Sequence, residues 1–251
     1  MPEPVPNYLK RPALTEKLTA AITPGSALLL EAPSGYGKTH ALSAAFRETS
    51  RSPDTLRWLG LTGQENDAGR LLALLEIALT PPGATSRQSG HQKASSNMDA
   101  LALLLSDPYW SAPNGDNVLV VDNVGTVANP TAIALLQQLI ENIPSGLALV
   151  MVSRRPLPFE THTFELEGRF HRIGADSLEL TRLETFEFFH AVVNRTQLTT
   201  VAVEHLYSLT EGWITPLGLY HRELDSTPES RLPSQETFSV ERFLRDAVLI
   251  H

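Results

Sequence analysis

The chain has 251 residues, 42% hydrophobic and 19% charged, which is enough apolar material for one large or two small globular domains. The formal net charge is −8 and lysines and arginines do not cluster, which argues against direct nucleic-acid binding by this segment. The sequence contains no cysteine, which excludes disulfides and thiolate metal sites. It also has no signal-peptide pattern and no apolar run of the ~18 residues that a membrane helix needs. We therefore expect a cytoplasmic protein.

Helices and strands are predicted to alternate through the first two thirds of the chain. The predicted helices cover residues 14–21, 40–48, 70–79, 98–105 and 131–143, and the predicted strands cover 28–31, 56–61, 117–122 and 147–152. Continuously apolar strands are typical of a parallel sheet with helices on both faces. The pattern predicts a three-layer α/β domain over residues 25–178, preceded by an entry segment, 1–24. Residues 80–96, rich in Pro, Gly, Ser and Gln, are predicted to form an exposed loop.

The pattern changes near Leu180. Three predicted helices, 183–193, 200–209 and 216–224, follow one another with no strong strand between them. They predict a small helical domain over residues 179–225. Residues 226–251 are expected to be a linker and the start of a truncated further domain, because the apolar helix 240–250 has nothing after it to pack against.

A phosphate-binding loop follows the first strand. Residues 32–39 have the form [AG]-x-x-x-x-G-K-T between an apolar strand and a helix, which is the context this motif requires. Glycines let the loop direct backbone N–H groups at phosphate oxygens. Lys38 is expected to reach the β- and γ-phosphates, and the Thr39 hydroxyl to bind Mg²⁺. The candidate nucleotide contacts are Pro33, Ser34, Gly35, Tyr36, Gly37, Lys38, Thr39 and His40, although no histidine, His40 included, has metal-ligand spacing.

An acid ends the strand 117–122. Asp122 lies where a carboxylate beside the phosphate loop can hold Mg²⁺, directly or through water. Asn123 stands where many ATPases have a second acid that orients or deprotonates the attacking water. Asparagine cannot take up that proton, so slow hydrolysis is expected. The alternative interpretation of Asn123 is a strand-end residue that caps the next turn.

Three arginines have alternative interpretations. Arg154, after the strand 147–152, is a candidate sensor of the γ-phosphate, because a guanidinium forms paired bonds to phosphate. Arg155 is the competing candidate, and either residue can instead be a solvated strand end. Arg11 can contact the nucleotide from the entry segment or can simply be exposed. The segment 212–217 predicts a glycine stop, a core tryptophan at Trp213 and a new helix with Pro216 in its first turn.

Several ordered segments together resemble the signal-transduction ATPases with numerous domains, a class of P-loop NTPases, and within it the maltose-regulon-activator-like, LuxR-type large transcriptional regulators. The loop Glu31–Thr39 is similar to the family sequence SPAGYGKT, tyrosine included, and Val120–Asn123 is similar to its Walker B strand except at Asn123. The other similar segments are Arg11–Leu14, Asn66–Arg70, Ser153–Pro158, Leu180–Phe189 and Thr210–Trp213. The terminal segment Phe238–His251 resembles the start of the family's winged-helix region.

The resemblance implies an ATP- or ADP-binding switch with Mg²⁺, in which the nucleotide sits between the α/β and helical domains. It also implies self-association or contacts with further domains of the same full-length protein. Pro216 is a candidate nucleotide contact in this arrangement. The predicted function is a regulatory module of a multidomain signalling protein, most plainly a transcriptional regulator, with slow or no hydrolysis. The alternatives are a dedicated enzyme, such as a fast stand-alone ATPase or a small-molecule kinase, and an interaction module that has lost turnover.

Overall fold

The computed structural model describes residues 9–49, 53–80, 95–111, 116–192 and 198–226. Five strands form one parallel sheet in the order β2-β3-β4-β1-β5. Because all the strands are parallel, their carboxyl ends meet at one edge of the sheet. The strands are β1 (Ala27–Glu31), β2 (Leu56–Gly60), β3 (Asn117–Asp122), β4 (Leu147–Ser153) and β5 (Phe170–Ile173).

Helices cover both faces of this sheet and build the region after it. Side-chain caps fix where several of them begin: Asp67, Ser96 and Asn129 each accept a hydrogen bond from a backbone N–H in the first turn of the helix that follows. The helices are α1 (Pro12–Ala21), α2 (Lys38–Glu48), α3 (Ala68–Leu79), α4 (Asn97–Leu105), α5 (Pro130–Glu141), α6 (His162–Leu166), α7 (Ala175–Leu178), α8 (Arg182–Glu187), α9 (Thr200–Thr210) and α10 (Ile214–Ser226). One π-helical turn, Phe188–Val192, continues α8.

The central strands are buried on both faces. Along β3, Val118 and Val120 belong to the apolar core shared with α1 and α2, whereas Leu119 and Val121 belong to the core shared with α3, α4 and α5. A strand that must satisfy two cores is apolar at every position, which is why the sequence pattern is continuous rather than alternating. The predicted three-layer α/β fold with a parallel sheet is confirmed.

Strand β5 was not predicted from the sequence, and some predicted segments lie outside the described residues. Strand β5 is a short edge strand that pairs with β1, and its two middle residues, His171 and Arg172, are polar, so no apolar run marks it. Most of the predicted loop 80–96, the linker after Ser226 and the helix 240–250 fall outside the described residues. Among the helices that are described, none combines the length and apolar character needed to span a membrane.

A separate apolar cluster supports the helices after the sheet. It comprises Leu9, Leu180, Phe188, Phe189, Val203, Leu206, Leu217 and Tyr220. Gly212 is packed against the backbone of Leu180, whose N–H donates to the Gly212 carbonyl at 2.9 Å. A Cβ at Gly212 would overlap the Leu180 carbonyl, and the glycine also has a φ of +83°. The division into domains at residues 178 and 179 stays a prediction.

Candidate functional site

A cavity of about 760 Å³ opens at the carboxyl edge of the sheet, between the loop after β1 and the helices that follow the sheet. Its volume falls within the range usual for small-molecule sites. One wall consists of the phosphate loop and the ends of β2, β3 and β4. The opposite wall, called the helical wall below, consists of residues from the N-terminal segment, α7, the turn after α8 and α10. The helical wall comprises Leu9, Arg11, Leu178, Phe188, Ile214, Thr215, Gly218, His221 and Arg222.

The phosphate loop has the backbone that its glycines permit. Gly35 and Gly37 have φ values of +81° and +75°, a region that other residues rarely adopt. Gly37 is the N-cap of α2, an 11-residue helix that begins at Lys38. The free N–H groups and the positive end of the helix dipole therefore face the cavity.

Lys38 is buried at the floor of the cavity. Its ammonium donates to the carbonyl oxygens of Ala32, at 2.5 Å, and Pro33, at 2.7 Å. Burial lowers the pKa of Lys38, and the positive charge of Arg154 lowers it further, against the opposing effect of Asp122. Two cations and one carboxylate thus lie close enough for Arg154 and Asp122 both to affect Lys38. A phosphate group would compensate this excess of positive charge, so the residues present fit an anionic ligand.

The two residues predicted to bind Mg²⁺ are in contact. The Thr39 hydroxyl donates to Asp122 Oδ2 at 3.1 Å, from the first turn of α2 to the last residue of β3. Oxygen ligands of this type suit Mg²⁺, which commonly takes one or two protein ligands, substrate phosphates and water. Among the described residues there is no cluster of three or more His, Cys, Asp or Glu side chains that could hold a metal. The Thr39 hydroxyl and the Asp122 carboxylate fit a Mg²⁺ ion that takes its other ligands from phosphate and water.

Asn123 lines the cavity, but its side-chain amide nitrogen already makes a hydrogen bond within the protein. With a φ of +66°, it turns the chain after β3, and its Nδ2 donates to the Leu61 carbonyl at 2.9 Å. A carbonyl only accepts, so the amide nitrogen must face it. Asn123 begins the turn Val124–Thr126, as the capping alternative expects, but its backbone carbonyl accepts the bond from the Thr126 N–H at 3.1 Å and its side chain makes no cap bond there. Asn123 instead joins the end of β3 to the loop after β2.

The structure brings Arg154, and not Arg155, to the cavity. Arg154 is among the lining residues and close enough to Lys38 to affect its pKa. The backbone of Arg155 is held by Ser153, whose hydroxyl donates to the Arg155 carbonyl at 2.5 Å and accepts from the Arg155 N–H at 3.2 Å. The role of Arg154 as a phosphate sensor stays a prediction.

Arg11 is buried, so the alternative of an exposed side chain is wrong. Its guanidinium donates to the carbonyls of Leu178 and Glu179, both at 2.7 Å, and to Glu184 Oε1 at 2.8 Å. Glu184 also completes a capping box with Thr181 at the start of α8. Arg11 therefore braces the junction between the sheet region and the following helices. It lines the cavity as well, and its predicted nucleotide contact stays a prediction.

Trp213, which directly precedes α10, and Thr215 of the helical wall both touch the phosphate loop. Trp213 is half-buried and stacks on Tyr36, with ring centroids 5.7 Å apart and planes inclined by 21°, so it is not the core residue that its type predicted. Burial, followed by the charges of Glu179, Glu211 and Asp176, raises the pKa of Tyr36. The Thr215 hydroxyl donates to the Gly35 carbonyl at 2.8 Å.

Most of the predicted site residues share this cavity, and two do not reach its surface. Pro33 contributes a carbonyl to Lys38, and Pro216 is buried behind the helical wall, but neither belongs to the lining residues. The predicted residues that line the cavity are Arg11, Ser34, Gly35, Tyr36, Gly37, Lys38, Thr39, His40, Asp122, Asn123 and Arg154. Sequence reasoning missed Phe188, which lies in a segment that the family resemblance marks, and Thr215, which lies two residues beyond such a segment.

No family model matches the chain. Its sequence is 24% identical over 230 residues to the HTH-type transcriptional regulator MalT of Cronobacter sakazakii (strain ATCC BAA-894), covering 86% of this chain and 25% of the relative. The chain thus spans about a quarter of the length of that relative. The sequence predictions of a P-loop NTPase and of a resemblance to this class of regulator are confirmed.

Solved structures resemble the fold. The Walker-type ATPase PABY2304 of Pyrococcus abyssi has a TM-score of 0.59 and 15% identity, covering 98% of this chain and 75% of the other. Cdc6p of Pyrobaculum aerophilum has a TM-score of 0.47 and 20% identity, covering 75% of this chain and 51% of the other. The first of these likenesses, with the sheet order and the phosphate loop, defines the protein as a P-loop nucleoside triphosphatase by fold. Its sequence resembles MalT.

Proposed function

We propose that this chain is an ATP- and ADP-binding regulatory switch of a multidomain signalling protein, of the transcriptional-regulator type, with slow or no hydrolysis. The observation that carries the proposal is the convergence of Lys38, Thr39 and Asp122 in one cavity at the sheet edge. Lys38 and the N–H groups of the loop bind phosphate oxygens, and Thr39 with Asp122 holds Mg²⁺. The ion, when bound, neutralises phosphate charge and orients the phosphates.

The contact between the loop and the helical wall supports a switch. Thr215 bonds the Gly35 carbonyl and Trp213 stacks on Tyr36, so any change of loop conformation on nucleotide binding acts directly on α10. A ligand shifts a conformational equilibrium only through different contacts in its two states. These two contacts would differ between the states of the switch. The rest of the switch lies in partner domains of a longer protein or in self-association, in the cytoplasm.

Slow turnover follows from the residue after Asp122. Asn123 has no proton-accepting group at neutral pH, and its amide holds the Leu61 carbonyl. The site therefore positions phosphates and metal without an evident base for the attacking water. We expect steady-state turnover well under the median enzyme rate of about 10 s⁻¹.

Two measurements test the proposal. The first is titration calorimetry with ATP and ADP in Mg²⁺, together with chromatography of any nucleotide released from the purified protein. The second is phosphate release at saturating ATP, with Lys38→Ala as the background. Micromolar or tighter binding with slow release supports the switch. Rapid release that Lys38→Ala abolishes would establish the rival, a working stand-alone ATPase, and absence of binding would favour an interaction module.

Asn123→Asp tests the reason for slowness, provided that folding is measured beside it. An aspartate would lose the amide donor to Leu61 and place a carboxylate against that carbonyl. Asn142→Asp is the matched control, because Asn142 Nδ2 donates to the Gln138 carbonyl at 3.0 Å at an exposed position. A raised rate in a folded Asn123→Asp variant, and not in Asn142→Asp, would identify the missing acid as the limit.

A further inference from the structure

Thr215 has a contact that no sequence motif assigns. It is the second residue of α10, and its hydroxyl donates to the Gly35 carbonyl at 2.8 Å. The approach is close, because a Cβ placed on Gly35 would lie 2.8 Å from Thr215 Cβ and 3.0 Å from Trp213 Nε1. Gly35 therefore serves two needs at once: its positive φ shapes the loop, and its bare α-carbon lets α10 sit against it.

The covalent geometry of the peptide gives this bond a consequence inside the loop. The chain has no cis peptide among its described residues, so the Gly35 carbonyl and the Tyr36 N–H point in opposite directions from one planar unit. Holding the carbonyl from the helical wall thus holds the N–H as well. Without that bond this peptide would rotate more easily, since one of the two torsions that turn it is ψ of Gly35, a residue that tolerates several backbone conformations.

We propose that Thr215 is a positioning residue for the nucleotide: its hydroxyl fixes the Gly35–Tyr36 peptide with the Tyr36 N–H directed to the phosphates. The inference rests on the proposed nucleotide-binding function and deepens it. The bond exists only when α10 lies on the loop, so phosphate binding and closure of the helical wall favour each other. Coupling of this kind is reciprocal: nucleotide stabilises the closed wall as much as the closed wall stabilises nucleotide binding.

The test compares Thr215→Val with Thr215→Ser. Valine keeps the branched shape and removes the donor, whereas serine keeps the donor and loses a methyl group. The dissociation constant of ADP with Mg²⁺ is measured by calorimetry, and the thermal midpoint is measured without nucleotide. We expect Thr215→Val to weaken ADP binding about two- to tenfold, the range of one hydrogen bond. Thr215→Ser should restore binding to within about twofold of the unmodified chain.

Two further variants make the result unambiguous. Thr200→Val is the matched control, because Thr200 is also an exposed threonine in the first turn of a helix, α9, and is not among the residues lining the cavity. It should leave ADP affinity unchanged. Lys38→Ala marks the loss of the phosphate site itself.

Each outcome bears on a stated claim. If the unmodified chain and Thr215→Val bind ADP equally well while Lys38→Ala binds it more weakly, the role of Thr215 is overturned and the proposed function is retained. Equal weakening by valine and serine would also overturn it, because the hydroxyl would then not be the group that matters. No ADP binding by the unmodified chain would overturn the proposed function and this inference with it.

Discussion

The two walls of the cavity are built in different ways. The wall formed by the phosphate loop and the ends of β2, β3 and β4 is called the phosphate wall below. Its strands have central residues, such as Leu29 and Val120, that are fully buried between two helical layers. The helical wall stands on a cluster of eight buried residues and a few long-range polar contacts. Buried apolar area and dense packing resist deformation, so we expect the first wall to be the more rigid of the two. Under the proposed function, the phosphate site lies on the wall built on the sheet, and the switching contacts come from the wall built on the smaller cluster.

Few contacts between described residues join the two walls, so substitutions at the junction between them should have clear effects. The contacts across it are the Thr215–Gly35 bond and the Tyr36–Trp213 stack, and a partly buried ion pair from Arg11 to Glu184 joins the start of α1 to α8 beside them. Each contributes on the order of 1 kcal/mol, so together they are comparable to the few kcal/mol over which a two-state switch operates.

The largest expected effect comes from Gly212→Ala. A Cβ there would overlap the Leu180 carbonyl and lie 2.8 Å from the Leu180 nitrogen, in addition to the strain of a positive φ. We expect a loss of about 3 kcal/mol of stability, seen by thermal unfolding. Gly168→Ala is the control, with a φ of +70° and open space around its Cβ, and should cost only about 1 kcal/mol.

Limited proteolysis of Gly212→Ala then tests the comparison itself. If the helical wall is the weaker unit, cleavage will concentrate after Leu180 while the sheet region survives. Uniform cleavage through the sheet region at the same rate would mean that the two walls unfold as one cooperative unit.

Lys38→Ala should follow, with an effect confined to the phosphate wall. Loss of a charge-assisted bond to phosphate is expected to weaken ATP binding at least tenfold, or about 1.5–3 kcal/mol. Lys17→Ala, at an exposed lysine whose ammonium bonds the Ser177 hydroxyl, is the control and should bind normally. Calorimetry on both folded variants measures the affinity for ATP. Unchanged affinity in Lys38→Ala would show that the phosphate site is not on this wall.

A double-mutant cycle sharpens the description of the same wall. Thr39→Ala and Asp122→Ala each remove one oxygen of a pair 3.1 Å apart, and both should reduce the Mg²⁺ dependence of ATP binding. Because they act on one ion, we expect a coupling energy of about 1 kcal/mol. Strict additivity of the two losses would argue that the two oxygens serve different purposes.

The smallest expected effect concerns acid stability at the junction. Burial by itself raises the pKa of Glu184, but hydrogen bonds from Arg11 and the Thr181 N–H, with the charge of Arg11, hold it below its ordinary value. A lowered folded-state pKa means stability that is present above the unfolded-state pKa, about 4.3, and is lost as the pH falls through the folded value. Glu184→Gln should therefore lower the thermal midpoint at pH 7 by about 2–4 °C.

The same difference between Glu184→Gln and the unmodified chain should shrink as the solution is acidified below about pH 4. Glu187→Gln, at an exposed position on the same helix, is the control and should have little effect at either pH. A difference that stays constant with pH would assign the effect of Glu184→Gln to packing rather than to the ion pair with Arg11.

The sequence by itself determined the sheet, the phosphate loop and the acid at Asp122. These features are local: an apolar run marks a strand buried on both faces, and glycine spacing marks a loop whose backbone does the binding. The same reasoning missed β5, because an edge strand with His171 and Arg172 at its centre has no such run.

Only the tertiary structure decided what the remaining polar residues do. It directed Arg11 to partners 167 to 173 residues away and Thr215 to a carbonyl 180 residues away. It also places the Asn123 amide against the Leu61 carbonyl, and it brings Arg154 rather than Arg155 to the cavity. Periodicity and spacing report on neighbours along the chain, whereas a side chain's hydrogen-bond partner depends on which segments the fold brings together, and no local pattern encodes that.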